Sequence, residues 1–219
     1  MKIYCTRNEL NRAINNVSHS IPTRTPSPIL EGILIETKGD RMYLTATDTN
    51  MTIESNIPVD SEGDVSFVIE EKNFANIVNK LPEEEVLMDF NHEKNQIKIN
   101  SGKSSSTFNC FSADEFPRFN IGEGQKIILS KKDIKNLIRK TSFSASADEL
   151  NGVLTGILIE LGEGNLRMVA VDTFRMAIYN AKVDTDEKLS IVVPAKLLGE
   201  VSKIISDDDN DEQLFMEIV

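Results

Sequence analysis

The chain has 219 residues, 40% of them hydrophobic and 27% charged, with no tryptophan and a formal net charge of −11. That length fits two domains of ordinary size, each able to bury its own core. No run approaches the roughly 18 apolar residues that a membrane span needs, and the acidic balance, taken over the whole chain, argues against a nucleic-acid binder.

The start, MKIYCTRNEL, lacks an apolar h-region, so no signal peptide is expected. Met1–Cys5 reads as a short strand. Thr6-Arg7-Asn8-Glu9 forms a capping box in which Glu9 reaches back to the cap. Leu10, Ala13, Ile14 and Val17 follow at helical spacing. The opposite stripe of that helix carries Arg7, Asn8, Asn11, Arg12, Asn15 and Asn16. Ile21–Pro28 holds three prolines and is expected to be an extended loop displaying Arg24. Strands are expected at Ile33–Thr37, Met42–Thr47 and Thr52–Ile57, joined by Gly-Asp and Asp-Thr turns. A strand over Val65–Ile69 leads to a helix over Lys72–Leu81 with Phe74, Ile77, Val78 and Leu81 inward. Val86–Phe90, Gln96–Asn100 and Thr107–Phe111 read as three more strands. Cys5 and Cys110 fall in strand segments and are too few for a disulfide framework, so buried thiols in a reducing cytoplasm are expected.

The chain then repeats itself. Gly32, Asp48 and Thr49 recur as Gly156, Asp172 and Thr173 at a constant offset of 124 residues, and ILIE at 33–36 recurs at 157–160. Ser130 and Asp133 restate the helix start, followed by Ile134, Leu137 and Ile138, with Lys131, Lys132, Lys135, Arg139 and Lys140 on the opposite stripe. Ala145–Gly152 is the counterpart of the proline-rich loop. A strand over Ile191–Val193 precedes a helix opened by Pro194, with Lys196 matching Lys72. A tandem duplication of domains follows, with the boundary at Phe116-Pro117 and Gly122-Glu123-Gly124. The expected domains are 1–121 and 125–219. The second has no counterpart of 91–119 and is expected to be incomplete, as in a truncated product or a fragment. Each domain reads as β-α-β-β-β followed by β-α-β-β-β, with antiparallel hairpins and two helices on one side, an α+β fold.

Charge follows the elements. The helix windows 7–18, 72–80, 131–140 and 196–204 carry +1, +2, +4 and +1, which leaves −19 on the rest of the chain. A positive face on an acidic protein concentrates a phosphate backbone there and repels it elsewhere. Plain solvated helix faces explain the same pattern. Catalytic signals are missing. His19 and His92 have no second ligand at metal spacing. The Gly-Glu-Gly turns lack the glycine pattern of a dinucleotide loop. The run Asp207–Asp211 lacks the glycine and the glutamate of a calcium loop. Ser104-Ser105-Ser106 has no histidine near it to activate a nucleophile.

The segments TRTPSPILEGILIE, TATDTNM, ADEFP, LTGILIE, VAVDTFRMA and VPAKLLGEV resemble the bacterial sliding clamp family, the beta subunit of DNA polymerase III, over the whole chain and in order. The resemblance implies tandem clamp domains, with sheets outside and helices inside, and a third domain absent from this chain. It implies a homodimeric ring around double-stranded DNA in the full-length protein. The implied partners are a replicative DNA polymerase and a clamp loader, in the cytoplasm, with no cofactor, no metal and no catalytic step. Arg24 matches the family's arginine near DNA, and Lys72 its basic residue at the second helix. Asp148, Gly152 and Val153 match a loop that touches DNA, although Asp148 and Glu149 are acidic and Asn151 stands where a basic residue is common. With Arg7, Arg12, Lys131, Lys132, Lys135, Arg139 and Lys196 these make the expected DNA surface. The family's partner-peptide groove maps onto Leu154 and onto Val171, Asp172, Thr173, Phe174, Arg175 and Met176. Thr173 and Phe174 replace the usual Gly and His there. A plain turn at Asp172-Thr173, as at Asp48-Thr49, is the competing reading. Leu154 with 171–176 also fits a protein-binding scaffold that never touches DNA.

Overall fold

The computed structural model describes residues 1–118, 124–185, 187–205 and 212–218. The chain divides into two units, Met1–Phe119 and Asn120–Val219. The Gly122-Glu123 turn and the Asp207–Asp211 run lie outside the described residues.

Unit 1 runs β1 (Lys2–Thr6), α1 (Arg7–Ser18), β2 (Gly32–Lys38), β3 (Arg41–Thr47), β4 (Thr52–Pro58), β5 (Asp60–Ser61), β6 (Ser66–Glu70), α2 (Glu71–Asn79), β7 (Glu85–Asn91), β8 (Gln96–Ser101) and β9 (Ser104–Ser112). All nine strands join one antiparallel sheet in the order β4-β3-β2-β6-β9-β8-β7-β1-β5. Alternation along the strands puts Ile33, Ile35, Met42, Leu44, Phe67 and Ile69 in one core with Leu10, Ile14, Phe74 and Val78 of the two helices. Leu34 and Val68, on the other face, are covered by Ala113 and Phe116, so β2 is buried on both sides at its centre. This is why ILI reads as a continuous apolar run rather than an alternating one.

The helix starts are set locally. Thr6 Oγ1 accepts from the Glu9 N–H at 3.3 Å and donates to the Glu9 carboxylate at 2.8 Å. Ser130 does the same with Asp133, at 3.0 and 2.8 Å. Some boundaries differ from expectation. Helix α2 opens at Glu71, so Lys72 is its second residue, and it ends at Asn79, leaving Leu81 buried beyond it. The proline-rich loop closes in a 3-10 turn at Pro28–Glu31.

Unit 2 runs β10 (Gln125–Ser130), α3 (Lys131–Thr141), β11 (Gly156–Gly162), β12 (Asn165–Val171), β13 (Met176–Lys182), β14 (Leu189–Pro194), α4 (Ala195–Ile204) and β15 (Gln213–Ile218). Pro194 ends β14 and caps α4, which opens at Ala195 instead. The loop expected at 145–152 is partly wound: 3-10 turns cover Glu149–Thr155, broken where Gly152 takes φ +54°. The strands form a four-stranded sheet, β13-β12-β11-β14, and a two-stranded one, β10-β15. In unit 1 the hairpin β8–β9 bridges β6 to β7. Among the described residues nothing bridges β14 to β15, and an apolar cleft of about 560 Å³ opens between the sheets, lined by Ile159, Ile191, Leu198, Val201 and Phe215.

The duplicated glycines have a packing reason. A Cβ at Gly32 would overlap Cγ1 of Val68, and one at Gly156 would overlap Cγ1 of Val192, the equivalent residue. Val68 is sealed, whereas Val192 is 45% exposed and free to turn away. Gly32→Ala is therefore expected to destabilise unit 1 by about 1–3 kcal/mol, and Gly156→Ala to destabilise unit 2 by less. Thermal melting of the two variants checks this, and equal shifts would contradict it.

Candidate functional site

The outward stripes of α1 and α3 hold the candidate DNA residues. Their first cations are committed inside the units. The Arg7 guanidinium donates to the Leu81 carbonyl at 2.8 Å and pairs with Glu84 at 3.5 Å. Lys131, the equivalent residue, pairs with Glu212. In both, the backbone N–H also donates to that glutamate's carbonyl, at 2.7 and 2.9 Å. Arg7 and Lys131 thus tie the helix start to the strand that enters beside it. Sequence spacing puts them on the outward stripe but does not show these partners.

The remaining cations are more open. Arg12, Lys132, Arg139, Lys72 and Lys196 are exposed, and Lys135 is half-buried. Arg139 donates to Asn136 Oδ1 at 3.4 Å. Lys140 lies over the Tyr179 ring, 4.4 Å from its centre. Arg24 is exposed on its loop. Asp148 accepts from the Leu150 N–H at 3.0 Å and caps the 3-10 turn, which leaves Leu150, Gly152 and Val153 exposed.

The second cluster surrounds Asp172. Its Oδ1 accepts from the N–H groups of Phe174 and Arg175 at 2.8 and 2.9 Å, and Asp172 N–H donates to the Arg175 carbonyl at 3.0 Å. Asp48 builds the same turn with Asn50 and Met51 at 2.9, 2.8 and 3.2 Å. The turn itself is therefore a property of the repeat and carries no function by itself. Its decoration differs. Arg175 Nε donates to Asp172 Oδ2 at 3.0 Å, and the guanidinium lies 5.6 Å from the centre of the Phe143 ring. The Phe174 N–H first, then the Arg175 N–H and guanidinium, hold the Asp172 carboxyl below the usual carboxylate range against the opposing effect of burial. Phe174 is 95% exposed and Met176 62%. Thr173 is exposed, and Leu154 and Val171 are half-buried. Phe143 and Ile178 add exposed apolar surface in the same unit. Helical periodicity does not point to Phe143, but His19 stands at its equivalent position in the first repeat, and that substitution was the available signal.

Other reactive groups are quiet. Burial pushes the thiols of Cys5 and Cys110 up to about 12, so neither is a nucleophile near neutral pH. Cys5 is buried and Cys110 half-buried. His92 packs edge-on against Phe90, with ring centres 4.7 Å apart. Among the described residues no three metal-ligating side chains come together, and no helix is long and apolar enough to cross a membrane.

Comparison with known proteins agrees with this architecture. Residues 1–120 match the family model described as DNA polymerase III beta subunit, N-terminal domain, and 128–218 match the central domain of the same subunit. The chain is 36% identical over 217 residues to the beta sliding clamp of Halalkalibacterium halodurans, covering 92% of this chain and 56% of that one. It is 35% identical over 224 residues to the clamp of Bacillus subtilis, covering 97% and 58%. The crystal structure of the B. subtilis DNA polymerase sliding clamp superposes with a TM-score of 0.95 at 33% identity, over 100% of this chain and 60% of that one. The chain therefore spans less than two thirds of the length of these relatives, and its antiparallel sheets with paired helices are tandem clamp domains. It belongs to the DNA polymerase III beta subunit family.

Proposed function

We propose that these two units are part of a DNA sliding clamp, a processivity factor that encircles duplex DNA and holds the replicative polymerase to its template. In this reading the complete protein is a homodimeric ring, opened by a clamp loader, working in the cytoplasm without a cofactor or a catalytic step of its own. Arg24, Arg12, Lys72, Lys132, Lys135, Arg139 and Lys196, with the loop at Asp148, Gly152 and Val153, meet phosphates without reading bases. Arg7 and Lys131 act indirectly, by fixing the helix starts. Leu154, Val171 and 172–176 receive a short partner peptide through hydrophobic anchors.

One observation carries the DNA reading. On a chain of net charge −11, the only carboxylates in α1 and α3 are Glu9 and Asp133, each held by its own cap, Thr6 or Ser130, and the remaining polar positions are amides, hydroxyls and cations. A face evolved only for solubility mixes both signs. The test is a duplex titration of this chain over a salt series. Weak binding on the order of 10⁻⁴ M, falling as salt rises and indifferent to sequence, is expected. Binding that ignores salt would place the contact elsewhere. The exposed Phe174 and Met176 favour a second reading, a protein-binding scaffold; peptide binding with no DNA affinity at any salt would select it.

A further inference from the structure

At the 124-residue offset the outward positions of α1 and α3 use only two chemistries. Asn8, Asn11, Asn15 and Asn16 stand where α3 has Lys132, Lys135, Arg139 and Lys140, and Arg12 stands where α3 has Asn136. Apart from Arg7 and Lys131, a cation in both units, every position is an amide in one unit and a cation in the other. Helix α2 continues the pattern: Asn73, Asn76 and Asn79 share its exposed side with Lys72, opposite the buried Phe74 and Val78. Its one carboxylate, Glu71, accepts the Ser18 hydroxyl at 2.7 Å. Asparagine is a weak helix former because its short amide competes for nearby backbone groups. So many asparagines on two helices run against local preference, and a solvated face would use Glu and Lys at i, i+4 instead. The face has no aromatic or aliphatic anchor of the kind that nucleates a protein interface.

We propose that the asparagines of the α1–α2 face of unit 1 are neutral phosphate contacts set among the cations Arg12 and Lys72. Asn8, Asn15, Asn76 and Asn79 donate amide hydrogen bonds to the DNA backbone, while Lys132, Arg139, Lys140 and Lys196 of unit 2 supply the ion pairs. This rests on the DNA-clamp reading above. A phosphate oxygen accepts from an amide NH₂ as it does from an ammonium. The neutral donor, however, releases no condensed counterion, so its contribution is invisible to the salt slope. The two units then divide the work. Unit 2 gives strong attachment at low salt, and unit 1 gives contact that persists when ions screen the cations.

The test uses this 219-residue chain and a mixed-sequence duplex, titrated at several salt concentrations. N8A/N15A/N76A/N79A is expected to weaken binding on the order of tenfold at every salt and to leave the slope of log K against log salt unchanged. Alanine is the better helix former, so its melting temperature should not fall, and a fall would be read against a second variant with serine at the same positions. K132S/R139S/K140S/K196S is expected to reduce the slope by about 3 to 4. Unchanged affinity in the asparagine variants, or a slope that falls with them, overturns the amide surface while leaving the clamp reading intact. A lysine and arginine variant with unchanged affinity and slope overturns the clamp reading's DNA surface instead.

Discussion

Phe67→Ala is expected to destabilise unit 1 by about 3–5 kcal/mol, a large share of the roughly 5–15 kcal/mol that holds a domain together. The ring is 1% exposed and stacks on Phe90, with centres 4.5 Å apart and planes 15° from parallel. Phe67 lies on β6 and Phe90 on β7, strands that the β8–β9 hairpin separates in the sheet, so the stack joins the two halves directly. The equivalent residue of unit 2, Ile191, is half-buried and already lines the 560 Å³ cleft. Ile191→Ala should therefore lose at most about 2 kcal/mol. Ile191→Phe should be tolerated, because the cleft has room for the ring. Denaturant unfolding followed by unit-specific amide signals in NMR reads each variant separately. Equal losses at Phe67 and Ile191 would show that the cleft does not weaken unit 2's packing.

In the proposed clamp, removing the ring of Phe174 should cost a partner peptide most of its affinity and cost the fold nothing. At 95% exposure the ring touches almost nothing in its own unit, and substitutions at such positions leave stability within about 0.5 kcal/mol. Burying it under a peptide's apolar anchor yields about 1.5–3 kcal/mol, which is roughly 10- to 150-fold in affinity. Met176→Glu should act in the same direction more strongly, since it places an unpaired charge against the same anchor. Calorimetric titration of a full-length clamp carrying each substitution, with a short peptide bearing a leucine or phenylalanine anchor, separates the outcomes. Undiminished binding by both variants, with melting temperatures unchanged, would move the peptide site off this turn.

The legible parts of the chain are those decided within a few residues or by repetition. Thr6 with Glu9 and Ser130 with Asp133 mark helix starts because the capping partner is three residues away. The offset between Gly32 and Gly156 exposed the duplication, and Val68 and Val192 explain why both positions stay glycine. Partners brought together only by folding were hidden. Arg7 meets Glu84 and Lys131 meets Glu212 across some 80 residues of sequence, and no periodicity reports that. The 3-10 turns over Glu149–Thr155 were hidden for a different reason. A reversal at a glycine with positive φ is compatible with any loop composition, and ASADELNG does not distinguish a wound loop from an extended one. At Asp172 the residue types announce a turn in both repeats. What separates the two turns is the exposure of Phe174 and the stack of Arg175 on Phe143, both of which depend on tertiary packing.

In this 219-residue chain the gap between β14 and β15 is the place expected to open first. Strand β6 is hydrogen-bonded on both sides, to β2 and β9, whereas among the described residues β14 is held only by β11 and β15 only by β10. On the side facing the gap β14 and β15 thus have, among the described residues, no strand partner to lose, and Ile191 and Phe215 already face the cleft. Fluctuations in unit 2 of this chain are therefore expected to begin at this seam. The described strands of unit 1 form one continuous sheet, so its opening is expected to start from the edge strands β4 and β5. Within this 219-residue chain the two repeats are therefore expected to differ in cooperativity, the nine-stranded sheet unfolding as one body and the two sheets of unit 2 separating first.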